Sequence, residues 1–147
     1  DGTPVLKKRI CGNRFEGTNI YKRGEYYYLF ASIGTCCNGA TSTYQTVVGR
    51  SKNVLGPYLD KTGRDMLYDY CEIIMSGNET WAGPGHNSIL VQDDVGTDWI
   101  IYHGYKKKEA ENGRYVLMDK LIWSNDGWPS VKSNAPSILE VAPYFQK

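Results

Sequence analysis

Apolar and aromatic residues along this chain gather in short runs separated by turn residues, and no run carries the 3.6-residue period of an amphipathic helix. Glu25–Ile33 (EYYYLFASI) is nearly continuous in apolar and aromatic residues and follows a Lys22-Arg23-Gly24 turn, which predicts a strand. Thr43–Arg50 (TYQTVVGR) is β-branched and leads to the turn marker Gly56-Pro57. Trp99–His103, Tyr115–Met118 and Leu121–Trp123 predict further strands, bounded by turns at Asp93–Gly96 and Asn125–Gly127. The pattern predicts an all-β chain with helix nearly absent.

The runs also repeat. Asn19-Ile20, a turn and Tyr27–Phe30 parallel Ser88–Leu90, a turn and Ile100–His103. A third strand follows in each half, Val47–Ser51 and Leu117–Leu121, and each half closes on a proline turn, at Gly56-Pro57-Tyr58 and Gly127-Trp128-Pro129. The offset is about 70 residues: Glu16 to His86 is 70 and Gly56 to Trp128 is 72. A unit of about four antiparallel strands predicts β-propeller blades, with repeat units about 16–80 and 86–140, although kelch and WD signatures are missing. A β-sandwich is the alternative on pattern alone. If the units are blades, Glu16 and His86 open equivalent inner strands and point to the same axial end. A carboxylate and an imidazole there suit acid–base chemistry or the flank of a metal ion, against the plainer readings of a solvated strand end and a hydrogen-bonded turn histidine.

Composition narrows the function classes. In 147 residues, 17 Lys+Arg balance 16 Asp+Glu to a net charge of +1, which argues against a polyanion-binding protein and so against a nucleic-acid partner. The chain is 41% hydrophobic, enough for a packed core, yet no apolar run approaches the ~18 residues of a membrane span. The N-terminal Asp1–Arg9 has no signal-peptide core, so an exported protein would have its leader outside this sequence. Twelve Tyr and 4 Trp suit strand faces and sites that stack on sugars. Cys11, Cys36, Cys37 and Cys71 lack the spacing of a zinc site; buried or loop-packed thiols are the plain expectation, with disulfides possible in an exported protein. Asn78-Glu79-Thr80 is a glycosylation sequon by pattern only.

Taken in order, Phe15-Glu16-Gly17, Tyr26–Phe30, Cys36-Cys37-Asn38-Gly39, Ser42-Thr43-Tyr44, Val48–Ser51 and Leu55–Tyr58 resemble glycoside hydrolase family 43, in its arabinan-degrading branch. Gly83–Ser88, Tyr102-His103 and Asp126–Pro129 continue the resemblance over nearly the whole chain. The resemblance implies a five-bladed β-propeller, of which this chain is about two C-terminal blades, and inverting hydrolysis of α-L-arabinofuranosides, with β-D-xylosides or arabinoxylan as the alternative substrate. It implies Glu16 as general acid, His86 near a metal, usually calcium, in the central channel, and Cys37, Thr43 and Tyr44 on loops bordering the sugar. The catalytic base and a third, pKa-tuning carboxylate would come from earlier blades, since no Asp here matches either motif. The chain alone is therefore expected to be inactive, and its partners to be a polysaccharide or oligosaccharide substrate and the N-terminal blades, or another chain. A secreted, periplasmic or cell-surface location follows from such a substrate. The alternative function is a non-catalytic carbohydrate-binding or assembly module.

Overall fold

The computed structural model describes residues 7–146; residues 1–6, which open the segment read above for a leader, lie outside the described residues. Ten strands run in the order β1 (Glu16–Arg23), β2 (Tyr26–Ile33), β3 (Gln45–Ser51), β4 (Glu72–Met75), β5 (Trp81–Gly85), β6 (Val91–Gln92), β7 (Asp98–Lys106), β8 (Arg114–Lys120), β9 (Ile122–Trp123) and β10 (Pro129–Ser130). Helix among the described residues is limited to short 3-10 turns. The first sheet is an antiparallel meander, β1-β2-β3-β4. The second is built around β7, with β5 and β6 on one side and β8 on the other. These are two blades of the propeller type.

Local chemistry accounts for the strands. β1, at a sheet edge, alternates exposed and half-buried positions, the period of a strand covered on one face. β2 lies between β1 and β3 and is buried along most of its length, which is why its sequence reads as an unbroken apolar run. Gly24, at φ 57°, opens the two-residue turn between them, a conformation that costs glycine little. The third strand starts at Gln45 rather than Thr43, because Thr43 and Tyr44 donate their amides to the Thr35 carbonyl and close the preceding loop. β4 and β5 were not legible in advance: four residues of β4 and the Gly-Pro-Gly end of β5 carry too little alternation.

The pleat of β2 divides the core in two. Tyr28 and Phe30 join Val48, Ile74 and Met75 against Ile100, Tyr102, Leu121 and Trp128 of the second blade. Leu29, Ala31 and Ile33 face the other way, onto Tyr58 and Met66 of the long loop between β3 and β4. Polar ties reinforce the interblade layer. Asp98, 3% exposed, accepts from the Tyr21 hydroxyl at 2.8 Å and the Trp123 indole at 2.8 Å. The Tyr28 hydroxyl donates to the Gly127 carbonyl at 2.6 Å.

The cysteine expectation needs correction. Cys36 and Cys37 are joined in a vicinal disulfide, while Cys11 and Cys71 are half-buried thiols whose pKa burial raises. Adjacent thiols give no periodicity or spacing from which a bond between neighbours could be read. The sequon asparagine is committed: Asn78 accepts from the Thr80 and Trp81 amides and donates to the Pro136 carbonyl.

Candidate active site at the axial strand ends

Glu16 opens β1 and pairs with Ser32 at the end of β2, while Gly85, just before His86, pairs with His103 of β7. The expected equivalence needs correction: Glu16 opens β1, whereas His86 follows the last residue of β5 and lies in the irregular stretch before β6, because the second blade's edge along β7 already begins at Trp81. The loops bring them into one cluster. The His86 amide donates to the Ser32 hydroxyl at 2.8 Å, and a Cβ added to Gly17 would lie 3.0 Å from the His86 ring. Gly17 and His86 both adopt positive φ, 57° and 51°. A left-handed non-glycine residue costs roughly 1–3 kcal/mol, so His86 is held in place by its surroundings rather than by its own preference.

Tyr44 is the floor of this cluster. It is 1% exposed, its ring stacks on His103 at 5.8 Å between centroids, and a Cβ on Gly85 would reach within 2.4 Å of it. The glycines of Gly83-Pro84-Gly85 let the second blade close onto Tyr44 and Ser42. The Tyr44 phenol faces Ser32 and Glu16; burial pushes it up to about 12, with Ser32 opposing the rise and the Glu16 carboxylate adding to it. It is therefore a neutral donor near pH 7, and it is buried without a partner among the described residues.

His103 and Arg114 complete the cluster, and neither was assigned a role from the sequence. His86 and His103 lie 6.1 Å apart between ring centroids. The Arg114 guanidinium lies 3.3 Å from His103 Nε2; since arginine only donates, Nε2 accepts and the imidazole carries its proton on Nδ1. Burial, followed by the charges of Arg114 and His86, lowers the His103 pKa, which favours that neutral form. His103 Nδ1, Tyr44 Oη, and the side-chain oxygens of Asn19 and Asn87 are all buried without partners among the described residues. Asn19 meanwhile donates to the carbonyls of Asn87 and Ser88, tying the two inner strands together. The one legible signal for His103 was its place beside Tyr102 in the family pattern.

Of the remaining expected site residues, Cys37 is exposed within the disulfide, and Thr43 is exposed with its hydroxyl 2.9 Å from that of Thr35. Both sit on the loop leading to Tyr44, and no hydrogen bond among the described residues joins either to Glu16 or His86. For a metal the fit is poor. The described residues bring together no group of three His, Cys, Asp or Glu side chains, and one imidazole does not match the oxygen-rich shell that calcium takes.

Glu16 is thus an exposed carboxyl at the start of β1 beside the buried Tyr44 phenol, with the second blade fixed behind it. The comparisons with known proteins agree with this architecture. Residues 5–129 match the family described as Glycosyl hydrolases family 43. The chain is 45% identical over 118 residues to the extracellular exo-alpha-(1->5)-L-arabinofuranosidase ArbA of Cellvibrio japonicus, covering 80% of this chain and 33% of that protein. It is 41% identical over 120 residues to the extracellular endo-alpha-(1->5)-L-arabinanase 1 of Bacillus subtilis, covering 81% and 35%. It superposes on the Cellvibrio cellulosa alpha-L-arabinanase complexed with arabinohexaose with a TM-score of 0.76 at 44% identity, covering 82% of this chain and 37% of that one. The chain spans about a third of the length of the curated relatives it matches. On the strength of that match over most of its length, the chain belongs to glycosyl hydrolase family 43.

Proposed function

We propose that this chain forms the acid-bearing part of an inverting glycosidase that cleaves α-L-arabinofuranosidic linkages in arabinan. The observation that carries the reading is the convergence of Glu16, Tyr44 and His86, from three separate elements, at one end of the two sheets. The names of the relatives, one of them bound to arabinohexaose, support the substrate class. In an inverting hydrolysis, the Glu16 carboxylic acid gives its proton to the departing glycosidic oxygen as the C1–O bond breaks. A water attacks C1 from the opposite face and loses its proton to a second carboxylate, roughly 6.5–9.5 Å from the acid. In this reading that base, and the carboxylate that tunes the acid, belong to blades outside this chain. Cys37 and Thr43 border the sugar from the loop before Tyr44.

Calcium, the ion expected near His86, carries no step of this proposal, because the described residues do not fit it. Secretion is part of the same reading, supported by two relatives named extracellular and by a disulfide of the kind that persists in oxidising compartments.

The test is Glu16→Gln in the protein with all its blades. Turnover of arabinan, whose leaving group needs a proton, is expected to fall about 100- to 10,000-fold, while an aryl arabinofuranoside with an acidic phenol as leaving group is largely spared. Equal loss on both substrates would remove Glu16 from the acid role.

A further inference from the structure

A cavity lies at the far end of the first blade. β1 runs from Glu16 to Arg23, and the register Arg23 to Tyr26 and Tyr28 to Arg50 places the starts of β2 and the end of β3 beside Arg23. Seven strand steps separate that end from Glu16, about 23 Å. The cavity, of about 410 Å³, is lined by Tyr26, Arg50, Lys52, Pro57, Lys61 and Trp128, among others.

Its cations are arranged on aromatic rings. The Arg50 guanidinium lies between Tyr26 and Trp128, 4.4 Å from each ring centroid. Lys52 Nζ lies 5.5 Å from the Tyr26 ring and Lys61 Nζ 5.8 Å from that of Trp128. Ring contacts orient a cation without neutralising it. Arg50 spends one N–H on the Asp126 carbonyl, at 2.5 Å. Among the described residues neither Arg50 nor Lys61 has an ion pair, and Lys52 pairs only with Glu25, at 3.3 Å with both side chains largely exposed. Such a pair contributes little. The carboxylate in the wall, Asp60, is already satisfied by Arg64 and Thr62. Asp126 also lies close to Arg50 and Lys61, but its carboxylate is engaged by the Ser124 hydroxyl. Glu72, the remaining carboxylate beside the cavity, accepts from the Lys61 backbone amide at 2.8 Å, so the four cations Arg50, Lys52, Lys61 and Arg64 face four carboxylates. Of these, Asp60, Asp126 and Glu72 are held by groups other than Arg50, Lys52 and the Lys61 ammonium, which among the described residues keep free N–H donors.

We propose that this cavity binds the carboxylate of a uronic-acid unit in an acidic polysaccharide. A planar guanidinium fork flanked by two ammonium groups suits a carboxylate. The cavity falls in the size range that takes an organic ligand, larger than an inorganic oxyanion fills. The inference rests on the glycosidase reading for its choice of a saccharide: the site would hold a charged chain while Glu16, at the other end, works on neutral arabinose linkages.

The experiment is calorimetric titration of the protein, at low salt, with trigalacturonate, arabinotriose or inorganic phosphate, repeated on the double variant Lys52→Glu/Lys61→Glu. Both lysines are exposed and far from Glu16, and a thermal melt checks that the variant is folded. Trigalacturonate is expected to bind the native protein, to weaken with added salt, and to lose at least 10-fold in affinity in the double variant. Lys52→Arg/Lys61→Arg should retain it, and arabinotriose should not compete. No binding of trigalacturonate, or binding unchanged in the double-glutamate variant, overturns the site; phosphate binding as tightly as trigalacturonate overturns its assignment to a saccharide. Glu16→Gln should leave trigalacturonate binding intact, so failure of the catalytic reading and failure of this one show up in different measurements.

Discussion

The backbone N–H of His86 donates to the Ser32 hydroxyl at 2.8 Å across 54 residues of sequence. That bond fixes the residue following β5 of the second blade against the end of the first blade's second strand, with Glu16 paired to the same serine. Ser32→Ala would leave the His86 N–H without its partner and cost about 1–3 kcal/mol. The expected result is a lower urea midpoint and, in the protein with all its blades, a fall in kcat/KM larger than the stability loss explains, because a left-handed histidine without its anchor can relax. An unchanged kcat/KM would separate the bond from the site.

Gly85→Ala tests the approach of the second blade to Tyr44. A Cβ there would come within 2.4 Å of a buried ring that is stacked on His103 and cannot swing aside. Overpacking of this kind costs about 1–3 kcal/mol. The loss should appear in the denaturation midpoint, and the Tyr44 and His103 resonances should shift with it. Alanine at Gly24 or Gly63, where an added Cβ meets nothing but φ is positive, should lack that resonance signature.

Inside the second blade the Tyr102 hydroxyl donates to the buried carboxylate of Asp119, and burial, then that contact, raise the phenol far above its ordinary value. Tyr102→Phe would leave Asp119, among the described residues, with only the longer contacts to the Ser137 amide, at 3.3 Å. A loss of about 2 kcal/mol is expected, whereas Tyr102→Phe combined with Asp119→Asn should recover part of it. Chemical denaturation of the four corners of that cycle measures the coupling.

Acid sensitivity should have a named source in the loop after β3. Burial pushes the Asp60 carboxyl up, but hydrogen bonds from Arg64 and Thr62 outweigh it and hold the group below the usual carboxylate range. A depressed folded pKa contributes stability that is fully present above the unfolded value near 3.9 and is lost as pH falls through the folded value. Denaturation midpoints should therefore decline below about pH 4, and Asp60→Asn should lower the plateau while flattening that part of the decline. A decline of the same steepness in the variant would assign it elsewhere.

The strands and their two-fold repetition were written into the chain locally. Tyr26–Ile33 must lie in a covered strand because nothing else buries such a run, and the turn residues at Gly24, Gly56 and Gly127 punctuate the units. The spacing brought Glu16 and His86 into one comparison, but not their places in the strands: Glu16 opens β1, while His86 follows β5. What surrounds those two residues was decided only in three dimensions. Tyr44 under Gly85, Ser32 on the His86 amide and Arg114 against His103 join residues 11 to 54 positions apart. None of these meetings leaves a period or a spacing in the sequence, because sheet packing and the close approach allowed by small residues set them. The same holds for Arg50, whose sequence neighbourhood reads as an ordinary strand end: only the closure of one blade on the other lays Trp128 against it and makes a cationic cavity of residues that lie far apart along the chain.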